Sequence, residues 1–326
     1  MLQEKVKSFA IAFLLLFVVA IFAGCNSQSE SATKEPVSQE AETKTEKRIV
    51  KHAMGETKVP ADPKRVVLLE YFLDPIVALE EEVIAVPSAE SWAGYDAPDY
   101  LKERHEGELT FIPDPYEINI EQIMSLQPDL IIGYKGSHDK IYEDLSKIAP
   151  TVIVSHEWGN FRESVREFGK IFGKEEKAEL VIKEYDQKVA EAREKIKDIV
   201  DGKEVMFLRI NNKAYRVYGE YGQIGRLLYE DLGMSIMKNY PKEEWSQDLT
   251  MEGLFVFNPD IIFLMTNSGE GPQRLMEELE KSHVWNNLEA VKSEQIYRAD
   301  NFMYYGMGPI GSSILVDQIV ENLTGE

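Results

Sequence analysis

The stretch Ile118-Asn119-Ile120-Glu121-Gln122-Ile123-Met124-Ser125-Leu126-Gln127-Pro128-Asp129-Leu130-Ile131-Ile132 aligns without a gap to Leu249-Thr250-Met251-Glu252-Gly253-Leu254-Phe255-Val256-Phe257-Asn258-Pro259-Asp260-Ile261-Ile262-Phe263. Each copy reads as a glutamate on a short helix, a Pro-Asp turn and a buried strand. Proline ends a helix because it lacks an N–H and crowds the preceding turn, and aspartate can bond the local backbone at a turn. Between the copies Ala178, Val181, Ile182, Tyr185, Val189, Ala192, Ile196 and Ile199 recur at helical spacing, polar residues fill the other faces, and Gly202 stops the run. From Lys174 to Ile199 this helix would run about 39 Å at ~1.5 Å per residue. Taken alone it is either a long surface helix or a strut. One repeat unit on each side decides for a strut joining two similar lobes.

The segments around it alternate in period. Arg65–Leu69, Val83–Val86, Leu130–Ile132 and Thr151–Val154 are short apolar runs of strand type, separated by helical Asp74–Leu79 and Ile141–Ile148. The pattern restarts at Val205–Arg209. Strands alternating with helices predict an α/β fold with parallel sheets and helices on both faces. The expected division is a first lobe over 48–172, a bridging helix over 173–201 and a second lobe over 202–326.

The N-terminus constrains location. Lys5 and Lys7 precede an unbroken apolar run from Phe9 to Phe22, too short for the ~20 residues of a membrane span but of signal-peptide length. It ends in Phe22-Ala23-Gly24-Cys25, and Cys25 is the single cysteine of the chain. A lone cysteine is often a buried free thiol, but one standing between an apolar run and Asn26-Ser27-Gln28-Ser29 is placed for lipidation. The reading is a signal peptide over 1–24 and lipidated Cys25 opening a tether over 25–47, whose Ser, Thr, Glu, Lys and Gln cannot offset the entropy of ordering. A net charge of −21 argues against a nucleic-acid partner, which needs a basic face. A few local cations can still hold an anionic ligand.

His52-Ala53-Met54-Gly55-Glu56-Thr57 with Pro63-Lys64-Arg65-Val66-Val67, the two Pro-Asp units, and Val284-Trp285-Asn286-Asn287-Leu288-Glu289-Ala290-Val291-Lys292 before Ile296-Tyr297 together carry a resemblance. The chain resembles the iron-siderophore binding lipoproteins of ABC importers, over residues 47–324. The resemblance implies two Rossmann-like lobes joined by a single long backbone helix, with the ligand cleft between the lobes and little closure. It implies a monomer that carries a ferric siderophore, leaning to the hydroxamate or citrate type, to ABC permease subunits. It places the chain outside the cytoplasm with no cofactor. Lipidation at Cys25 with no other retention signal suggests a membrane surface of Gram-positive type, and the lack of a legible catalytic motif argues against an enzyme. The resemblance also gives roles to Glu121 and Glu252, one per lobe, as the residues that meet permease arginines. Each is equally an exposed first-turn glutamate favoured by the helix dipole.

In such a fold the ligand lies where strand ends face the cleft. Arg209 closes a buried strand, and its guanidinium either grips carboxylate or hydroxamate oxygens or pairs with a nearby acid. Arg216, Lys135 and Arg104 are further cation candidates. Trp92, Tyr134, Trp158, Tyr218, Tyr304 and Tyr305 offer flat walls with polar tips, or belong to the core. Tyr304 and Tyr305 are not distinguishable by position. The five histidines, His52, His105, His138, His156 and His283, form no H-x-x-x-H pair, so no direct metal site is expected. Haem, with His156, Met303 or Tyr304 as axial ligand, and cobalamin stay open as alternatives. A surface-anchored hydrolase is the remote one: no nucleophile elbow is legible, and Gly308-Pro309-Ile310-Gly311-Ser312 is not G-x-S-x-G.

Overall fold

The structure, a computed structural model, describes residues 46–90, 94–241, 244–299 and 308–325. Cys25, the signal peptide, nearly all of the tether, Trp92, Met303, Tyr304 and Tyr305 therefore lie outside the described residues.

The chain enters through a hairpin, β1 (Lys47–His52) and β2 (Gly55–Pro60), turned at Ala53-Met54. Five strands then form the first sheet: β3 (Val66–Leu68), β4 (Ala85–Pro87), β5 (Thr110–Ile112), β6 (Leu130–Tyr134) and β7 (Thr151–Val154). Their order is β5-β4-β3-β6-β7 and every pairing is parallel. After the helix Phe161–Phe172, Gly173 turns in the left-handed region and the bridging helix Glu175–Val200 follows. The second sheet contains β8 (Glu204–Ile210), β9 (Tyr215–Tyr218), a short β10 (Ser235–Ile236), β11 (Ser246–Leu249), β12 (Ile261–Thr266) and β13 (Ile296–Arg298). Its main order is β11-β9-β8-β12-β13.

The two orders match position for position. In each lobe the repeat unit supplies a crossover helix, Ile120–Ser125 or Met251–Phe257, leading to the strand beside the central one. The Pro-Asp aspartates act across strands and not locally as expected. Asp129 accepts the amides of Lys64 and Arg65 at 2.7 and 2.9 Å, and Asp260 accepts the amide of Glu204 at 2.7 Å. Each therefore fixes the start of the central strand of its sheet. Gln127 and Asn258 take the same left-handed conformation before the turn, with φ of 46° and 38°.

One departure concerns direction. The expected parallel pattern holds throughout the first sheet, but β9 runs antiparallel to both β8 and β11. The link from β8 to β9 is a tight turn in which Asn211 Oδ1 accepts the amides of Lys213 and Ala214. A parallel return needs a crossover of a dozen or more residues, so this turn can only make a hairpin.

Alternating side chains sort into cores by face. One cluster joins Val66, Leu68 and Val154 of the first sheet, Val181, Tyr185, Val189 and Ile196 of the bridging helix, and Val205, Phe207 and Phe263 of the second sheet. Ile131 and Ile123 pack on the outer face of the first sheet, and Met206, Leu264 and Leu254 on that of the second. The bridging helix thus shares a core with both lobes. Among the described residues no helix is long and apolar enough to cross a membrane.

Candidate functional site

The repeat register identifies a pair that composition alone hides. Leu68 pairs with Ile132 and Phe207 pairs with Phe263. Ile132 and Phe263 are equivalent in the near-repeat, so Leu68 corresponds to Phe207. Two residues further on, Glu70 of the first lobe corresponds to Arg209 of the second.

Arg209 is the penultimate residue of β8 and is half-buried. Its Nε donates to Asn267 Oδ1 at 2.8 Å and its Nη1 to the Tyr218 hydroxyl at 3.3 Å. No carboxylate among the described residues lies within ion-pair distance of it. Arg216 sits opposite Arg209 in the β8–β9 register, hence on the same sheet face, but it is engaged by Asp248 through contacts of 2.6 and 2.9 Å. Side-chain alternation also puts Tyr218 on that face. Tyr218 is 2 % exposed and stacks edge-on against Trp245 at 5.5 Å. Sequence reading passed over Trp245, which precedes β11 and stays 40 % exposed. The missing signal was β11 itself, whose Ser-Gln-Asp-Leu sequence has no apolar run.

In the first lobe Tyr134 ends β6, and its hydroxyl donates to the His156 carbonyl at 2.9 Å. Phe72, Tyr134, His156 and Trp158 form an aromatic cluster with centroid separations of 4.6 to 5.6 Å. Burial, with the charge of Glu70 second, raises the Tyr134 pKa. His156 Nδ1 lies 2.8 Å from Glu167, while its Nε2 is buried without a hydrogen bond. Glu70 is 1 % exposed and neither carboxylate oxygen has a well-formed hydrogen bond. Burial pushes its pKa up to about 7 against the opposing pull of Ser137 and the Tyr71 amide. This residue too was missed, although the run Val66–Leu69 ends directly on it. Lys135 is exposed just past β6. Arg104 lies on an exposed turn, where its Nη1 donates to the Tyr100 carbonyl at 2.7 Å.

Among the described residues the lobes meet at several places near these groups. A Cβ on Gly94 would come 2.7 Å from Ser268 Oγ, beside Asn267. Gly159, with φ of +82°, lies so close to the Gly222–Gln223 backbone that a Cβ would overlap it. Arg162 of the first lobe reaches Asp231 of the second at 2.9 Å and Asp186 of the bridging helix at 2.7 Å, while Arg226 meets Glu157 at 2.6 Å. Asp231 also accepts the Tyr185 hydroxyl at 2.8 Å. Just past Phe72, Asp74 accepts the amides of Ile310 and Gly311 and so caps the C-terminal helix Pro309–Thr324.

Glu121 and Glu252 are each the second residue of their crossover helices, both exposed. Neither has a cation within ion-pair distance among the described residues.

Two like-ordered α/β lobes sharing one long helix, with polar and aromatic side chains at their facing strand ends, define a two-lobe binding protein. The family model described as periplasmic binding protein matches residues 76–301, and the chain belongs to that family. It is 32 % identical over 325 residues to the iron(3+)-hydroxamate-binding protein FhuD of Bacillus subtilis, covering 98 % of each chain. Staphylococcus aureus SirA, solved in complex with staphyloferrin B, superposes with a TM-score of 0.73 at 28 % identity, covering 85 % of this chain and 98 % of SirA. The FhuD fold-family protein BSU3320 of Bacillus subtilis, described as the periplasmic binding component of a Fep/Fec-like ferrichrome ABC transporter, superposes with a TM-score of 0.69 at 30 % identity, covering 85 % of this chain and all of BSU3320.

Proposed function

We propose that this chain captures a ferric siderophore of hydroxamate or citrate type outside the cytoplasm and delivers it, chemically unchanged, to an ABC permease. The observation that carries the reading is Arg209: a half-buried guanidinium oriented by Asn267 and Tyr218 and left without a carboxylate partner among the described residues. Holding such a charge in place without a counter-ion suits an anionic ligand, whose oxygens accept its remaining N–H groups. Trp245, backed by the buried Tyr218, on one side and Tyr134 and Trp158 on the other supply flat apolar walls. Trp92, Tyr304 and Tyr305 complete the proposed contacts. Lys135 adds an exposed cation, and Arg216 and Arg104 act more weakly because their guanidinium groups are already engaged.

Around this site the proposed organisation is a signal peptide over 1–24, lipidated Cys25 with a tether to residue 47, lobes over 48–172 and 202–326, and the bridge over 173–201. The protein works as a monomer at the membrane surface, where Glu121 and Glu252 meet basic residues of the permease.

The test is a titration of the protein with ferric hydroxamates, ferric citrate complexes, haem and cobalamin, following tryptophan fluorescence. One-to-one quenching by a hydroxamate or citrate complex, weakened by Arg209→Ala, is the expected result. A response to haem or cobalamin alone would overturn the ligand and leave the transport role.

A further inference from the structure

Large exposed apolar side chains on short helices are costly in water, and here they occur at repeat-related places. Ile123 in the first crossover helix and Leu254 in the second are fully buried at equivalent positions, and Phe257 at the end of the second is buried as well. The residue after Ile123 and Leu254 points outward in both lobes: Met124 is 54 % exposed and Phe255 is 53 % exposed. Val256, one further on, is 63 % exposed. Met124 and Phe255 each follow the exposed glutamate by three residues, so carboxylate and apolar group are neighbours on one helical face. Cap, glutamate, buried anchor, exposed apolar residue and left-handed terminus recur in the same order twice.

Resting on the docking reading above, we infer that Met124, Phe255 and Val256 are the apolar half of the permease-docking surface. The occupant is the outward face of a transmembrane permease built from two like halves, each offering a basic side chain beside an apolar pocket. Two arguments select it. Each patch carries a carboxylate without a counter-charge among the described residues, which calls for a basic partner. The patches are duplicated on lobes of like topology, which calls for a partner duplicated likewise. Charge steers the encounter and apolar burial slows separation, so the two components divide the work of docking.

The test uses the full-length protein in iron-starved cells of its native host. A photoreactive benzoylphenylalanine is placed at position 121, 124, 252 or 255, with position 180, exposed on the bridging helix, as control. Adducts from 124 and 255 with the permease's transmembrane subunits, identified by mass spectrometry, are expected, and none from 180. The variant M124S/F255S/V256S should lower the adduct yield from 121 and 252 at least tenfold, with siderophore titration unchanged. Adducts from 121 and 252 alone, undiminished in the serine variant, would overturn the inference and leave glutamate docking intact. No adduct at any of the four positions would overturn both. Adducts with a second copy of this chain would make the face a self-association surface and overturn it equally.

Discussion

Glu70 and Arg209 hold equivalent places in the two lobes, one a buried carboxyl and the other a half-buried guanidinium. The same backbone position has thus been given opposite chemistry on the two sides of the cleft.

Arg209 is expected to dominate binding. Arg209→Ala should weaken the ferric siderophore at least tenfold, about 1.4 kcal/mol, because charged hydrogen bonds are worth about 1.5–3 kcal/mol. Arg216→Ala should change affinity less than about threefold, since its donors already face Asp248. Fluorescence titration of both variants separates the two, and equal losses would contradict the assignment.

Glu70 makes stability depend on pH with a definite sign. Its pKa rises from 4.5 unfolded to about 7 folded, so the folded chain binds the proton more tightly. Its stabilising contribution is full below about 4.5 and is lost as pH rises through about 7. Glu70→Gln should therefore stabilise the protein at pH 8, by on the order of 3 kcal/mol, and hardly at all at pH 4.5. Asp74, raised from 3.8 to about 6 mainly by burial, acts with the same sign over a lower window and should leave a residual slope in the variant. Denaturant titrations at the two pH values measure this, and a variant parallel to wild type would refute it.

The inter-lobe contacts should limit closure. Arg162→Ala leaves Asp231 buried beside the Tyr185 hydroxyl without its cation, a change worth about 3 kcal/mol of stability. Gly159→Ala should disturb the lobe contact as well, because its φ of +82° and the Gln223 amide both oppose a side chain. Small-angle scattering of the wild type should show little compaction on adding ligand. A large compaction would mean that these contacts open.

Much of this was legible beforehand, and the misses have physical causes. The two crossover helices that carry Glu121 and Glu252, and the bridging helix, were visible because they depend on local periodicity and an ungapped repeat. Arg209 stood out because a charge ending an apolar run is conspicuous. Glu70 ends a similar run and went unread, since its significance rests on register with a strand some sixty residues away. Trp245 was missed because β11 is polar, and the reversed β9 because the four-residue turn at Asn211 closes through side-chain contacts that no apolar period reveals. The reach of Asp129 and Asp260 across strands could not be read from neighbours alone.

Glu121→Ala with Glu252→Ala should abolish uptake by cells while leaving siderophore affinity unchanged. Loss of affinity in the double variant would place these residues in the ligand site instead.

The bridging helix has a kinetic consequence. Its 26 residues share one core with both lobes, so under the expected small closure the spacing between the two crossover helices would act as a fixed gauge. Such a gauge would read the same whether or not the cleft is filled. Under the proposed docking, empty protein then competes with loaded protein for the same permease, and import should fall as the ratio of empty to loaded copies rises, however tightly each copy holds its cargo.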